Sequence, residues 1–146
     1  MPQVDFYILP GSVEAARLKF ACGLIEQAFH DGRRVLAWTD DAAQLDALDD
    51  ALWTFADRSF VPHEKLVVGS PPEAPVALVA GALPVPAQFD VLVNLGARSA
   101  PADIAIERVV EIVDADDTRR RQGRDRFRDY RERGWPQQTH NIGSET

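Results

Sequence analysis

The sequence predicts an α/β fold, a single-domain three-layer sandwich with a largely parallel sheet and helices on both faces. Three observations carry that expectation. Short β-branched and aromatic runs alternate along the chain with segments of helical period. Two of the runs, "VALVA" (76–80) and "FDVLVNLG" (89–96), are apolar at their centres, as strands covered on both faces are. The chain's 146 residues, 45% hydrophobic and 27% charged, suit one buried core. Alternating strands and helices join most simply by right-handed crossovers into a parallel sheet.

The elements follow in order. "VDFYIL" (4–9) reads as a first strand, ended by Pro10-Gly11, after which Ser12 is placed to cap a helix. From Val13 to His30, Ala16, Phe20, Leu24 and Phe29 keep a helical period, closed by Asp31-Gly32. "RRVLAWT" (33–39) is a second strand, and Asp40 or Asp41 caps a helix through Leu52 whose apolar face is Leu45, Leu48 and Leu52. Residues 53–75 show no sustained period and read as a long ordered loop. The two apolar runs follow as strands, then a turn or short helix at Pro101–Ile106, a strand "RVVEIVD" (108–114) and a final helix stopped by Gly134 and Pro136. The expected division is one domain over 1–136 and a flexible tail over 137–146.

Composition excludes several classes of function. The start lacks a basic region, and no apolar run approaches the roughly 18 residues of a membrane span. One cysteine, Cys22 in "FACGLIEQAF", gives no disulfide framework and suits a reducing cytoplasm. "LPGSVE" after the first strand is neither glycine-rich dinucleotide fingerprint nor phosphate-binding loop, so no nucleotide site is expected. His30, His63 and His140 fall in three separate elements without metal-ligand spacing, and no serine stands in a nucleophile elbow. No cofactor and no catalytic residue are expected.

Two constellations stand out. Between Arg119 and Arg133 lie eight of the sixteen basic residues and three acids, a net of +5 against −12 for the rest of the chain. At helical spacing, Arg120, Arg124, Phe127, Arg128 and Arg131 form one stripe. Two readings are open: a solvated face whose acids pair locally, or a site for an anion, in which forked guanidiniums around an aromatic suit a carboxylate joined to an apolar group. Gly123 inside this helix costs about 1 kcal/mol relative to alanine, so packing or a ligand must hold the helix. The second constellation is "ALWTFADRSFVPHEKL" (51–66), where Trp53, Phe55 and Phe60 either cap the core or offer a surface to a partner.

At these residues the chain resembles the chi subunit family of bacterial DNA polymerase III. The similarity runs from "FYIL" through "GRRVLAWTDD", "LDDALWTFADRSFVPHE" and "FDVLVNLG" to the last helix, and "LDDALWTFADRSFVPH" is its most specific piece. The resemblance implies a mononucleotide-binding-like fold without a nucleotide site and a non-catalytic bridging protein of replication. One surface would bind the psi subunit, which connects to the clamp loader, and it would fall on Trp53, Phe60, Val61, Pro62 and His63. An XPD/DinG-type helicase competes for that surface in some relatives. Another would bind the acidic C-terminal tail of single-stranded-DNA-binding protein, on Val113, Arg120, Arg124, Phe127 and Arg128. Nucleic acid would then be met only indirectly; the rival expectation is direct nucleic-acid binding by the arginine helix. Phenylalanine stands at 127 where relatives often carry tyrosine.

Overall fold

The computed structural model describes residues 1–54, 60–66, 73–83 and 89–143. Phe55, most of the 67–75 loop and the last three residues lie outside them. In chain order the elements are β1 (Gln3–Ile8), α1 (Glu14–His30), β2 (Val35–Thr39), α2 (Ala42–Thr54) and β3 (His63–Lys65), then β4 (Val76–Ala80), β5 (Val91–Asn94), β6 (Arg108–Val113), α3 (Asp117–Glu132) and β7 (Gln137–Asn141). The strands make one sheet in the order β3-β4-β2-β5-β6-β1-β7, and each pairing is parallel.

Strand alternation divides the core between two faces. Val35 and Ala37 of β2 and Val110 and Ile112 of β6 pack with Leu18, Ala21 and Ile25 of α1 and Leu45, Leu48 and Leu52 of α2. Leu36, Trp38, Val109 and Val113 point the other way, with Phe6, Tyr130 and Trp135 under α3. All five residues of β2 are buried, as a central strand covered on both faces requires. Cys22 sits in the α1 layer, where burial pushes its thiol up to about 12.

A polar cluster fixes α3 to the sheet. Glu111 of β6, fully buried, accepts hydrogen bonds from Arg126 Nε (2.8 Å), Tyr130 hydroxyl (2.6 Å) and Asn94 Nδ2 (2.9 Å). Tyr130 in turn accepts from the Ala100 amide, and burial beside the Glu111 charge keeps its hydroxyl protonated. The helix start is held separately: Asp116 caps the Arg119 amide, while Arg119 clasps Asp114 through Nε (2.9 Å) and a terminal nitrogen (2.8 Å). Burial opposes ionisation of Asp114, but the bonds from Arg119 and the Asp116 amide outweigh it and hold the carboxyl below its ordinary range.

The structure corrects three expectations. Residues 137–141, read as flexible tail, form β7 beside β1. Its sequence Gln-Gln-Thr-His-Asn has no apolar run to announce a strand. It is held by the β1 ladder, by His140 stacked on Tyr7 (4.6 Å) and by the His140–Asp5 contact (3.0 Å). Gly134, at φ +79°, turns the chain back after α3, with Trp135 stacked on Tyr130. Within the loop expected at 53–75, α2 continues to Thr54 and residues 63–65 pair with β4. Ser12 does not cap α1: Val13 holds the N-cap position without a side-chain bond, whereas Asp41 caps α2 at the Gln44 amide (2.9 Å).

Replacing Glu111 by glutamine leaves the buried Arg126 guanidinium without its counter-charge. A loss of about 3 kcal/mol in urea denaturation is expected, the order found when one partner of a buried pair is removed. Acid should weaken the α3 anchor through Asp114. A carboxyl depressed in the native state contributes stability that is full above about pH 5 and is lost as pH falls through its native value, below about 4. Asp114→Asn should flatten that part of the acid limb of a melting-temperature profile.

Candidate functional site: a basic-rimmed groove beside the last helix

Gly123 sets how closely α3 lies on the sheet. A Cβ there would stand 2.7 Å from Val113 Cγ2, so only glycine allows this approach. Beside it, between α3 and the strands β6, β1 and β7, runs a groove of about 270 Å³. Phe6, Ile8, Val113 and Phe127 make its walls apolar, and the Phe6 and Phe127 rings meet at 5.5 Å. Arg120 and Arg124, both exposed, stand on its rim, and Thr139 of β7 borders the other side. The arrangement offers two guanidiniums over an apolar trough, which can take a carboxylate and an adjoining apolar group together.

The eight arginines of this segment divide by partner. Arg119, Arg126 and Arg133 are engaged inside the protein, with Asp114, Glu111 and the Ala100 carbonyl (2.6 Å) respectively, and Arg133 also lies over Trp135. Arg128 is a neighbour of Asp125 (3.6 Å) with both side chains 61% exposed, and it is not part of the groove lining. Four residues expected from the sequence, Val113, Arg120, Arg124 and Phe127, therefore meet at one place, and Arg128 does not join them. Phe6, Ile8 and Thr139 were not foreseen. The alternation in β1 puts Phe6 and Ile8 on the α3 face, but nothing in the sequence announced β7.

The second group is partly a surface and partly its support. Trp53 and Phe60 are 56% and 62% exposed, with ring centroids 5.8 Å apart. Val61 is buried, so it belongs to the core. Pro62 is half-buried. The His63 side chain is 1% exposed: Nδ1 lies 2.6 Å from the Val61 carbonyl, Nε2 faces Asp49 at 3.1 Å, and the ring lies 4.8 Å from that of Trp53. Its place is beneath the aromatic pair.

At the carboxyl ends of β5 and β6, where open α/β sheets commonly bind ligands, buried Arg17 bonds the carbonyls of Ile112 (3.1 Å) and Leu95 (3.0 Å) and the Glu14 carboxylate (2.6 Å). Burial works against the Glu14 charge, but Arg17 and Gln44 hold its carboxyl below the ordinary range. These groups satisfy one another. Among the described residues no cluster of histidine, cysteine and acids is placed to hold a metal ion, and no helix is long and apolar enough to cross a membrane.

Gly123→Ala tests the trough. The added methyl must displace Val113 or lift α3, which should cost about 1–3 kcal/mol in urea denaturation. Trp53→Ala, which removes a half-exposed ring covering His63, should cost about 1 kcal/mol in the same assay and leave the protein folded.

The chain is similar to known proteins along nearly its whole length. A family model described as DNA polymerase III chi subunit, HolC, matches residues 1–138. DNA polymerase III subunit chi of Pseudomonas aeruginosa is 39% identical over 142 residues, covering 97% of this chain and 98% of that one. The Escherichia coli subunit chi is 29% identical over 139 residues, covering 92% of this chain and 95% of its own. Among solved structures, that titled "The crystal structure of T4 UvsW" superposes with a TM-score of 0.64 at 10% identity. It covers 97% of this chain and 41% of that one, a likeness of fold alone. The chain belongs to the family of DNA polymerase III chi subunits.

Proposed function

We propose that the protein is a non-catalytic accessory subunit of the DNA polymerase III holoenzyme, working in the cytoplasm as an adaptor without a cofactor. In this reading the groove beside α3 takes the acidic C-terminal tail of single-stranded-DNA-binding protein. The Trp53–Phe60 pair takes psi, and through it the clamp loader, or an XPD/DinG-type helicase in psi's place. Contact with nucleic acid is indirect. The observation that carries the proposal is the pairing of Arg120 and Arg124, neither with an ion-pair partner among the described residues, with an apolar trough. Guanidiniums receive the tail's carboxylates while Val113, Phe6 and Phe127 shelter its terminal apolar side chain.

Charge supports an acidic peptide over a nucleic-acid strand. Outside the segment 119–133 the chain carries −12, which repels a long phosphate backbone but leaves a short acidic ligand free to approach one helix. Val61 and His63 do not touch the partner in this reading. They hold Trp53 and Phe60 in place from below.

The test is a fluorescence-anisotropy titration with a labelled peptide copying the acidic tail. Saturable binding is expected, weakened about tenfold by Arg124→Ala, weakened comparably when the peptide lacks its terminal apolar residue, and reduced as salt rises. A single-stranded oligonucleotide should bind far less well than the peptide. Absence of peptide binding by folded protein at low salt would remove the groove from the account. For the other surface, co-elution with purified psi should be lost in Trp53→Ala and kept in Arg124→Ala.

A further inference from the structure

The groove opens onto a sheet edge with unused backbone bonds. Among the described residues β7 is the outermost strand on its side, paired only to β1. The Val4 amide donates to the Pro136 carbonyl (2.9 Å) and the Ile142 amide to the Ile8 carbonyl (2.9 Å). A parallel ladder uses alternate residues of a strand. Residues 136, 138, 140 and 142 therefore face β1, and Gln137, Thr139 and Asn141 turn their N–H and C=O groups to the free edge. The same three residues point their side chains toward α3. Gln137 Nε2 donates to the Phe127 carbonyl (3.1 Å), and Thr139 borders the groove.

We propose that the acidic peptide seated in the groove continues along β7 as an eighth strand, its backbone paired with the outward groups of Thr139 and its neighbours. The inference rests on the groove being the peptide's seat. α3 begins at the carboxyl ends of the strands, so Arg120 and Arg124 stand at that end. A peptide whose terminal carboxylate is held there and whose preceding residues descend along β7 runs parallel to it, in keeping with the rest of the sheet.

Charge permits this exit. Gln-Gln-Thr-His-Asn contains no carboxylate, and His140 is turned to the opposite face against Asp5. The alternative path, across the outer side of α3, meets Asp125, Asp129 and Glu132 interleaved with Arg121, Arg128 and Arg131, and offers side chains but no free backbone groups to pair with. β7 is thus a neutral lane in an acidic protein, and strand addition gives a peptide affinity through backbone bonds that its acidic side chains need not supply.

Two measurements test the proposal. Amide hydrogen exchange by NMR on labelled full-length protein should show Thr139 and Asn141 slowed several-fold at saturating tail peptide. In anisotropy, two peptides N-methylated at alternate residues upstream of the terminal one, in the two possible phases, should differ. One phase removes donors aimed at β7 and weakens binding about tenfold; the other leaves it unchanged. If the unmodified peptide binds but both methylated series bind equally, or exchange at Thr139 and Asn141 is unaltered at saturation, the strand is overturned and the groove stands. If the unmodified peptide does not bind, the groove reading fails and the strand with it.

Discussion

A carboxylate placed in the middle of the sheet obliges the rest of the molecule to answer it. Glu111 is removed from water, so its charge must be met by groups brought from two other elements: Asn94 from β5, Arg126 and Tyr130 from α3. Such a cluster adds less stability than its bond count suggests, because three polar groups lose their hydration to form it. Its effect is orientation. With Arg126 and Tyr130 facing the sheet, a turn of about 100° per residue puts Phe127, Arg120 and Arg124 about 100–160° round the helix, on the β7 side. Arg128 comes out at about 200°. The groove exists because the helix cannot roll.

The same reasoning changes the meaning of the charge. Counted along the sequence, the segment 119–133 is an undivided block of eight cations. In the fold, Arg119, Arg126 and Arg133 serve as internal anchors at the start, middle and end of α3. The positive surface is therefore narrower than the composition suggests, and two of its arginines, Arg120 and Arg124, stand beside the trough made apolar by Val113, Phe6 and Phe127.

Much of this was readable in the residues. β2, β4 and β5 announced themselves as apolar runs, and α1 and α2 kept their period, because burial on a sheet face leaves a mark in the sequence. β7 left none: an edge strand made of polar residues depends on ladder bonds to β1 and on a histidine finding Tyr7 and Asp5 across the chain. The stripe on α3 was legible as spacing, yet spacing cannot say which side faces inward. That was decided by Glu111, a lone acid in a valine-rich strand. The cost of Gly123 was legible too, and its reason, the Val113 side chain, was not. Val61 and His63 lie next to exposed Phe60 in sequence but on the other side of the surface they support.

The strand order carries a further implication. Trp53 and Phe60 flank β3 at one margin of the sheet, and the groove adjoins β7 at the other. Six inter-strand steps of about 4.8 Å set the two margins roughly 29 Å apart. Hydrogen-bonded strands neither stretch nor compress, so two ligands held at these margins are kept at a fixed span, without competing for space. Binding at one margin then raises the local concentration of whatever is attached to the other by an amount set by rigid geometry rather than by linker length. In that sense the sheet is a ruler, graduated in strands.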